Sequence, residues 1–170
     1  MSVINLLNER LQNKWSFDTT MKIQDEMIPA MLEGKDIVAE SPTGSGKTLA
    51  FMLPILNKVD GSKKKTQALV VAPSQELAMQ IVEVIRQWTE GTDITVQQLI
   101  GGANSARQIE KLKKKPTIVV GTPGRLNELV RQGKLKLKEI ETVVLDECDQ
   151  LLSREYRVVV KSFIEDAAFG

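Results

Sequence analysis

Short apolar runs alternate along this chain with longer segments of helical period, and this alternation restricts the possible folds more than any other feature. Five runs rich in Val, Ile or Leu, each bounded by polar residues or by Gly and Pro, are predicted to be strands: 36–40, 67–72, 94–100, 117–121 and 142–146. Such alternation is typical of a parallel sheet with helices on both faces. The chain is therefore predicted to be an α/β protein with three layers and a mostly parallel sheet.

The segments between these runs are predicted to be helices. In the clearest of them, apolar residues recur at steps of three and four: Leu77, Ile81, Val84, Ile85 and Trp88. Ser74 is its predicted N-cap, and Gly91 lies where a left-handed C-cap is expected. Pro29 is expected to open a new helical turn that Gly34 closes. Further helices are predicted over 3–12, 21–31, 46–58, 105–114, 124–132 and 155–166.

The composition of the chain excludes several classes of function. Its 170 residues are enough for one ordinary domain, and 23 basic against 22 acidic residues leave a net charge of only +1. A nucleic-acid site must therefore be a local arrangement of groups. Cys148 is the single cysteine and there is no histidine, which excludes disulfide frameworks, Cys/His zinc sites and imidazole-based triads. Without a signal-peptide core or a run of transmembrane length, we expect a cytoplasmic protein with no membrane partner.

Two lysine clusters flank predicted strands, at 63–65 and 111–115. Both fall where connecting loops and helix ends belong, and they are interpreted as solvated charge rather than as RNA contacts.

A glycine-rich segment, residues 41–48 with the sequence SPTGSGKT, follows the first predicted strand and leads directly into a predicted helix. Glycines let successive backbone amides converge on a phosphate, and the N-terminus of the next helix favours the same negative charge. Lys47 supplies a charge for the terminal phosphates, and the Thr48 hydroxyl can ligate Mg²⁺. The usual pattern begins with glycine where this chain has serine, and an ordinary glycine-rich turn is the alternative. The predicted phosphate-binding residues are Thr43, Gly44, Ser45, Gly46, Lys47 and Thr48.

Carboxylates follow the last predicted strand, at Asp146, Glu147 and Asp149. Ligands of open parallel sheets bind beyond the carboxyl ends of strands, so this cluster is expected at the same edge as the glycine-rich segment. One carboxylate can hold Mg²⁺ through its water shell while a second orients the water that attacks a terminal phosphate. Cys148 is predicted to pack rather than react. Taken alone, the segment also fits an acidic loop.

In this order, the motifs resemble the first RecA-like domain of the DEAD-box RNA helicases, a P-loop NTPase domain, over nearly the whole chain. The sequence DECD is a variant of the tetrapeptide that names the family. The resemblance implies that Glu147 activates the water and that Asp146 holds Mg²⁺, with Lys47 as a further catalytic residue. It also implies that Asp149 couples this strand end to later motifs. ATP specificity would come from the adenine-reading element, in which Phe17 stacks on the base and Gln24 reads its edge.

The resemblance further implies three RNA-contacting elements, each after a predicted strand. Their residues are Pro73, Ser74 and Gln75; Gly101 and Gly102; and Thr122, Pro123, Gly124 and Arg125. Free amides at helix N-termini hold backbone phosphates without reading sequence. Taken singly, the last element also fits an ordinary helix start and the glycine pair a simple turn.

The chain departs from the family's pattern in two places. The usual P-T-P-I-Q before the glutamine reads T-M-K-I-Q here, and Gln75 stands where arginine is common, which removes a charge near the proposed RNA path. The chain also ends at Gly170, before the family's Ser-Ala-Thr motif. Residues 1–170 are therefore expected to be an incomplete first domain, truncated at the C-terminus, with the second RecA-like domain absent.

The predicted function is that of the ATP-binding part of an ATP-dependent RNA helicase, an NTP hydrolase that uses ATP and Mg²⁺. Its expected partners are RNA, bound through contacts to the RNA backbone that do not read sequence, and a second RecA-like domain of the parent chain. By itself it is expected to turn over little ATP. One alternative is an ATP-gated RNA-binding or scaffolding module that does not unwind duplexes. Another is a helicase that acts on DNA, because phosphate contacts alone do not distinguish the sugars.

Overall fold

A computed structural model describes residues 2–32, 37–38, 45–101, 105–136 and 140–145. Its strands are β1 (Ile37–Val38), β2 (Ala68–Val71), β3 (Val96–Leu99), β4 (Ile118–Gly121) and β5 (Thr142–Leu145). Its helices are α1 (Glu9–Lys14), α2 (Lys22–Leu32), α3 (Ser45–Lys58), α4 (Gln75–Thr89), α5 (Ser105–Leu112) and α6 (Pro123–Arg131), preceded by a 3₁₀ helix, Val3–Leu6. Each predicted strand is present, and β2, β3 and β4 have shorter bounds than predicted. Residues 36, 39, 40 and 146 of the predicted strands, the predicted helix 155–166 and the predicted turn end at Gly34 lie outside the described residues.

The described strands form one parallel sheet in the order β1-β5-β2-β4-β3. The register places the last residue of every strand in one row across the sheet: Val38, Leu145, Val71, Gly121 and Leu99. The predicted α/β class is therefore confirmed. Because all the strands run the same way, the segments that follow them start from a single edge, called here the carboxyl edge.

Both faces of the sheet are covered, as the continuous apolar character of the strands predicts. All four residues of β2 are buried, and alternate side chains point to opposite faces. Ala68 and Val70 belong to a core formed with α1 to α4, whereas Leu69 and Val71 belong to a second core that includes residues of α5 and α6. Burial of one such side chain contributes about 1.5–3 kcal/mol, so two separate cores hold the sheet in the middle layer.

The helix predicted over 3–12 is interrupted in the structure. Leu7 is extended, and the Asn8 side chain caps a new helix by accepting a hydrogen bond from the backbone N–H of Leu11 at 3.0 Å. The expectation that Pro29 opens a new turn is wrong, because α2 continues through it. Proline costs the helix one hydrogen bond, but the flanking Met27, Ile28 and Met31 are all buried and hold the segment helical.

Helix α4 has the ends that its sequence predicts. The Ser74 hydroxyl accepts a hydrogen bond from the backbone N–H of Leu77 at 3.2 Å, which satisfies one free donor of the first turn. The helix ends at Thr89, and Gly91 adopts a φ of 81°, the left-handed conformation that glycine adopts without steric cost. None of the helices in the described ranges has the length and apolarity needed to cross a bilayer.

Candidate nucleotide and nucleic-acid site

The two predicted phosphate-chemistry segments leave the sheet from neighbouring strands. β1 pairs with β5 in parallel, and Val38 lies opposite Leu145 in the last row. The chain passes from β1 into the glycine-rich segment and from β5 into the acidic cluster. Both segments therefore start from adjacent points of the carboxyl edge, as an open parallel sheet requires for a shared ligand. Thr43, Gly44 and the residues 146–149 themselves lie outside the described residues.

Helix α3 begins at Ser45, so the backbone of Gly46 and Lys47 is already helical. A helix N-terminus leaves its first amide donors without intrahelical partners, and the aligned peptide dipoles make that end positive. The first turn of α3 carries no acidic residue, and Thr48 within it is half-buried. This N-terminus, reached directly from β1, has the charge and the free donors that fit a phosphate group. Among the described residues, no group of three or more acidic or cysteine side chains is placed to hold a metal ion.

Gln24 is buried in the first turn of α2, with 2% of its surface exposed. Its Oε1 accepts a hydrogen bond from the backbone N–H of Met21 at 2.8 Å. Glutamine at the third helical position, bonded back to the residue before the helix, is half of a capping box. The bond directs Oε1 toward the Met21 N–H, so Nε2, the donor of the amide, points away from it. Because α2 packs against α3, this amide lies on the helix next to the one that starts at the glycine-rich segment.

Phe17 is among the most exposed large apolar side chains of the described chain, with 56% of its surface accessible. Its ring meets the edge of Trp15 in a T-shaped contact with centroids 5.0 Å apart. Trp15 in turn lies 6.5 Å from the ring of Trp88. Phe17 is thus held at one side by an aromatic neighbour and keeps surface available for stacking on a flat ligand.

Hydrogen bonds hold the three predicted RNA-contacting elements at the carboxyl edge, and one of them joins two of the elements directly. Gln75 Nε2 donates to the carbonyl of Gly101 at 3.2 Å, which joins the start of α4 to the turn after β3. The backbone N–H of Thr122 donates to the carbonyl of Leu99 at 3.3 Å, which joins the start of α6 to the last residue of β3. The starts of α4 and α6 and the turn at Gly101 therefore all lie at the carboxyl edge. Gly102 lies outside the described residues.

The start of α6 has the features of an anion-binding helix end. Thr122 is the N-cap but makes no side-chain capping bond, and Pro123 occupies the first turn without an N–H to satisfy. Gly124 is exposed, and a Cβ built on it would meet no atom within 4 Å. Pro73 is half-buried before α4, while Ser74 and Gln75 are exposed. Backbone amides at the start of α6 are therefore accessible to a bound phosphate.

Arg125 is buried, with 6% of its surface exposed. Its Nε donates to Gln108 Oε1 at 3.2 Å, and its Nη1 donates to Glu128 Oε1 at 3.0 Å. Gln108 Nε2 donates to the backbone carbonyl of Ile100 at 2.9 Å. The backbone carbonyl of Gln108 accepts a hydrogen bond from Gln97 Nε2 at 2.8 Å. Sequence reasoning missed Gln108 and Gln97, because a single glutamine on a helix or strand carries no signal of its long-range partners.

Comparisons with known proteins identify the chain's relatives. The DEAD/DEAH box helicase family model matches residues 21–168. The probable ATP-dependent RNA helicase YfmL of Bacillus subtilis is 47% identical over 158 residues, which cover 91% of this chain and 42% of that protein. The DEAD-box ATP-dependent RNA helicase CshC of Bacillus cereus is 48% identical over 158 residues, covering 91% of this chain and 41% of that protein.

A solved structure agrees with these sequence matches. The crystal structure of a hypothetical ATP-dependent RNA helicase from Sulfolobus tokodaii matches 98% of this chain and 47% of its own, with a TM-score of 0.81 and 32% identity. The chain thus spans less than half the length of these relatives. With a family model matched over most of its residues and relatives close to half identical over 91% of its length, the chain belongs to the DEAD/DEAH box helicase family.

Proposed function

We propose that residues 1–170 are the first RecA-like, ATP-binding domain of a cytoplasmic ATP-dependent RNA helicase. In the parent protein, ATP hydrolysis would be coupled to the opening of RNA duplexes or the remodelling of RNA–protein complexes. The pairing of β1 with β5 carries the proposal, because it starts the glycine-rich segment and the acidic motif side by side in a chain of this family. The names of the relatives, ATP-dependent RNA helicases, support the same activity.

The proposed chemistry is transfer of the terminal phosphoryl group of ATP to water. Lys47 and the amides at the start of α3 hold the phosphates, and Glu147 orients and deprotonates the attacking water. Thr48 and Asp146 hold Mg²⁺, the latter through water. When bound, the metal ion neutralises charge that develops on the phosphate oxygens.

Adenine selectivity is assigned to Phe17 and Gln24. The exposed ring of Phe17 stacks on the base, and the amide of Gln24, oriented by the Met21 N–H, donates to the base edge. Adenine presents an amino donor beside a ring-nitrogen acceptor, a pair that an amide matches with its oxygen and its N–H, whereas guanine presents acceptors at both positions.

The RNA backbone is proposed to cross the carboxyl edge at the starts of α4 and α6. The exposed Ser74, Gln75 and Gly124 line this path, and contacts of this kind bind without reading sequence. Asp149 is proposed to link the acidic motif to a second RecA-like domain of the parent chain. Arginines from that domain would stabilise the transition state, an effect worth about 10³ to 10⁵ in rate.

The decisive experiment uses the full-length parent protein. Its ATPase rate is measured with single-stranded RNA, with DNA of the same sequence and with no nucleic acid, and strand separation is followed with a labelled RNA duplex. We expect stimulation by RNA only, and loss of hydrolysis with retained ATP binding in Glu147→Gln. Equal stimulation by DNA contradicts the RNA assignment. If the duplex is bound in an ATP-dependent way but is never opened, the result favours the alternative of an ATP-gated RNA-binding or scaffolding module.

A further inference from the structure

A basic cleft of about 580 Å³ runs along the outer side of β3, at the opposite end of the sheet from β1. Its walls carry Arg86 of α4, Arg107 and Lys111 of α5, and Lys114 just after α5. All four cationic side chains are exposed, and none forms an ion pair with a carboxylate of the described residues. The described residues that line the cleft include no Asp or Glu. The cleft therefore concentrates positive charge on a chain whose net charge is only +1.

The floor of the cleft is an open strand edge. β3 pairs with β4 on one side, where Ile118 N–H donates to the carbonyl of Thr95 at 3.0 Å. In a parallel ladder alternate residues face the same neighbour, so Val96 and Gln98 direct their N–H and C=O groups away from β4. In the part of the chain that the structure describes, no strand lies on that side. The edge thus presents donors and acceptors in alternation.

Gln97 adds a buried acceptor to the same wall. It lines the cleft with 7% of its surface exposed, and its Nε2 is used by the carbonyl of Gln108. Its Oε1 has no hydrogen-bond partner among the described residues. Buried polar atoms are almost always paired, so this unpaired oxygen is an exception that lies directly beneath the cleft wall.

We propose that the cleft binds an extended acidic polypeptide segment, which adds as a strand to the outer edge of β3 and sets Asp or Glu side chains against the four cations. An extended peptide supplies both N–H and C=O groups at the spacing that Val96 and Gln98 present. The backbone of a nucleic acid offers mainly acceptors, which match the cations but leave the outward carbonyls of Val96 and Gln98 without donors. The observations therefore favour a polypeptide. The cleft shares Gly101 with the proposed RNA surface, but none of the proposed ATP-binding residues lines it, and the proposal does not depend on them.

The probe is a fluorescent peptide of about ten residues in which Glu alternates with Val, a length that covers a short edge strand. Binding to the whole chain is measured by anisotropy, and it is expected to weaken as salt screens the charges. Two control peptides separate the contributions. One carries Lys in place of Glu, and the other carries Pro at alternate positions, which removes the ladder donors. Both are expected to bind at least about tenfold more weakly, a difference of 1.4 kcal/mol.

Charge-reversal variants test the location of the site. The double variant Lys111→Glu/Lys114→Glu is expected to lose about tenfold in peptide affinity. The matched double variant Lys63→Glu/Lys64→Glu changes the same charge in an exposed turn outside the cleft and is expected to change affinity less than about twofold. Circular dichroism verifies that both variants fold. In the unaltered chain, amide exchange at Val96 and Gln98 is expected to slow when the peptide is bound.

Three outcomes would overturn the proposal. The first is the absence of peptide binding up to about 1 mM. In that case the four cationic side chains would serve only to prevent the exposed strand edge from pairing with another molecule of the same protein. The second is equal binding of the proline peptide, which would exclude strand addition. The third is a loss of affinity for a single-stranded oligonucleotide, but not for the peptide, in the Lys111→Glu/Lys114→Glu variant. That result would show that the cleft binds nucleic acid.

Discussion

The Nε atom of Arg125 donates a hydrogen bond to Oε1 of Gln108, 3.2 Å away, and this contact joins the first turn of α6 to the middle of α5. Gln108 is bonded at the same time to the carbonyl of Ile100, the residue before the turn at Gly101. The guanidinium of Arg125 therefore contributes to the proposed RNA surface by holding its parts in register. A buried arginine of this kind is a positioning residue, whereas the exposed backbone at Gly124 is where a phosphate can approach.

Replacing Gln108 by alanine is expected to lower the free energy of unfolding by about 1–3 kcal/mol, because Arg125 loses a partner in a mostly buried setting. RNA affinity is expected to fall several-fold as the turn after β3 loosens. Urea unfolding and fluorescence anisotropy measure the two effects. Glu110→Ala on the same helix is the control, since its ion pair with Lys113 is exposed and is worth less than about 1 kcal/mol. Equal stability of the two variants would contradict the positioning role.

Gln24→Glu separates the two uses of the Gln24 amide. Glutamate keeps the oxygen that accepts from the Met21 N–H, so the helix cap is expected to persist, whereas a carboxylate at a site with 2% exposure is expected to lower the melting temperature. The donor end is lost, and ATP affinity is expected to fall by about tenfold or more. Calorimetry with ATP and GTP measures the change. If ATP affinity stays constant while Gln24→Ala lowers stability, the residue serves the helix cap alone.

Phe17→Ala is expected to weaken ATP binding with little effect on folding. The ring is more than half exposed, so its truncation removes little buried surface, whereas stacking on a base is worth about 1–3 kcal/mol. Leu6→Ala is the matched control because Leu6 is an apolar side chain with 54% exposure. Nucleotide titrations of both variants decide the matter. If Leu6→Ala lost as much ATP affinity as Phe17→Ala, the loss would reflect a general destabilisation of the fold and not stacking of Phe17 on the base.

Gly124→Ala is expected to weaken RNA binding while leaving the fold intact or slightly more stable. An added Cβ meets open space there, and alanine favours a helix over glycine by about 1 kcal/mol. Gly121→Ala is the contrasting variant, since its Cβ would lie 2.6 Å from the carbonyl oxygen of Leu99, and such overpacking costs about 1–3 kcal/mol. Thermal melts and RNA titrations report the two effects. Unchanged RNA affinity in Gly124→Ala would place the backbone path elsewhere.

Gln75→Arg is expected to raise RNA affinity by restoring a charge near the start of α4. Arginine retains a donor for the Gly101 carbonyl, which Gln75 contacts now. One additional phosphate contact steepens the dependence of log affinity on log salt by about 0.7 for a single strand. Titrations at several salt concentrations measure that slope. An unchanged slope would show that position 75 does not face a phosphate.

Local signals in the sequence were sufficient for the class of fold. Strands that are buried on both faces have continuous apolar sequences, which can be recognised without knowing the fold. The caps of α4 at Ser74 and Gly91 depend only on neighbouring residues. The break at Asn8 and the helical path through Pro29 were not predictable in this way. At both positions the outcome depends on distant partners. The Asn8 N–H donates to Asn57 Oδ1 at 2.7 Å, and the residues around Pro29 are buried against α3 and other parts of the core.

The sequence by itself determined the chemistry that the chain carries: a glycine-rich segment between strand and helix, an acidic strand end, and polar motifs after strands. The tertiary structure decided which of these meet. It placed β5 between β1 and β2, buried Arg125 against Gln108, and put β3 at the edge of the sheet that the described strands form, between Arg86 and Lys111. The physical reason is that a residue's type and its local period set what it can bond with, whereas its actual partner is set by strand order and helix packing, which join residues far apart in the chain.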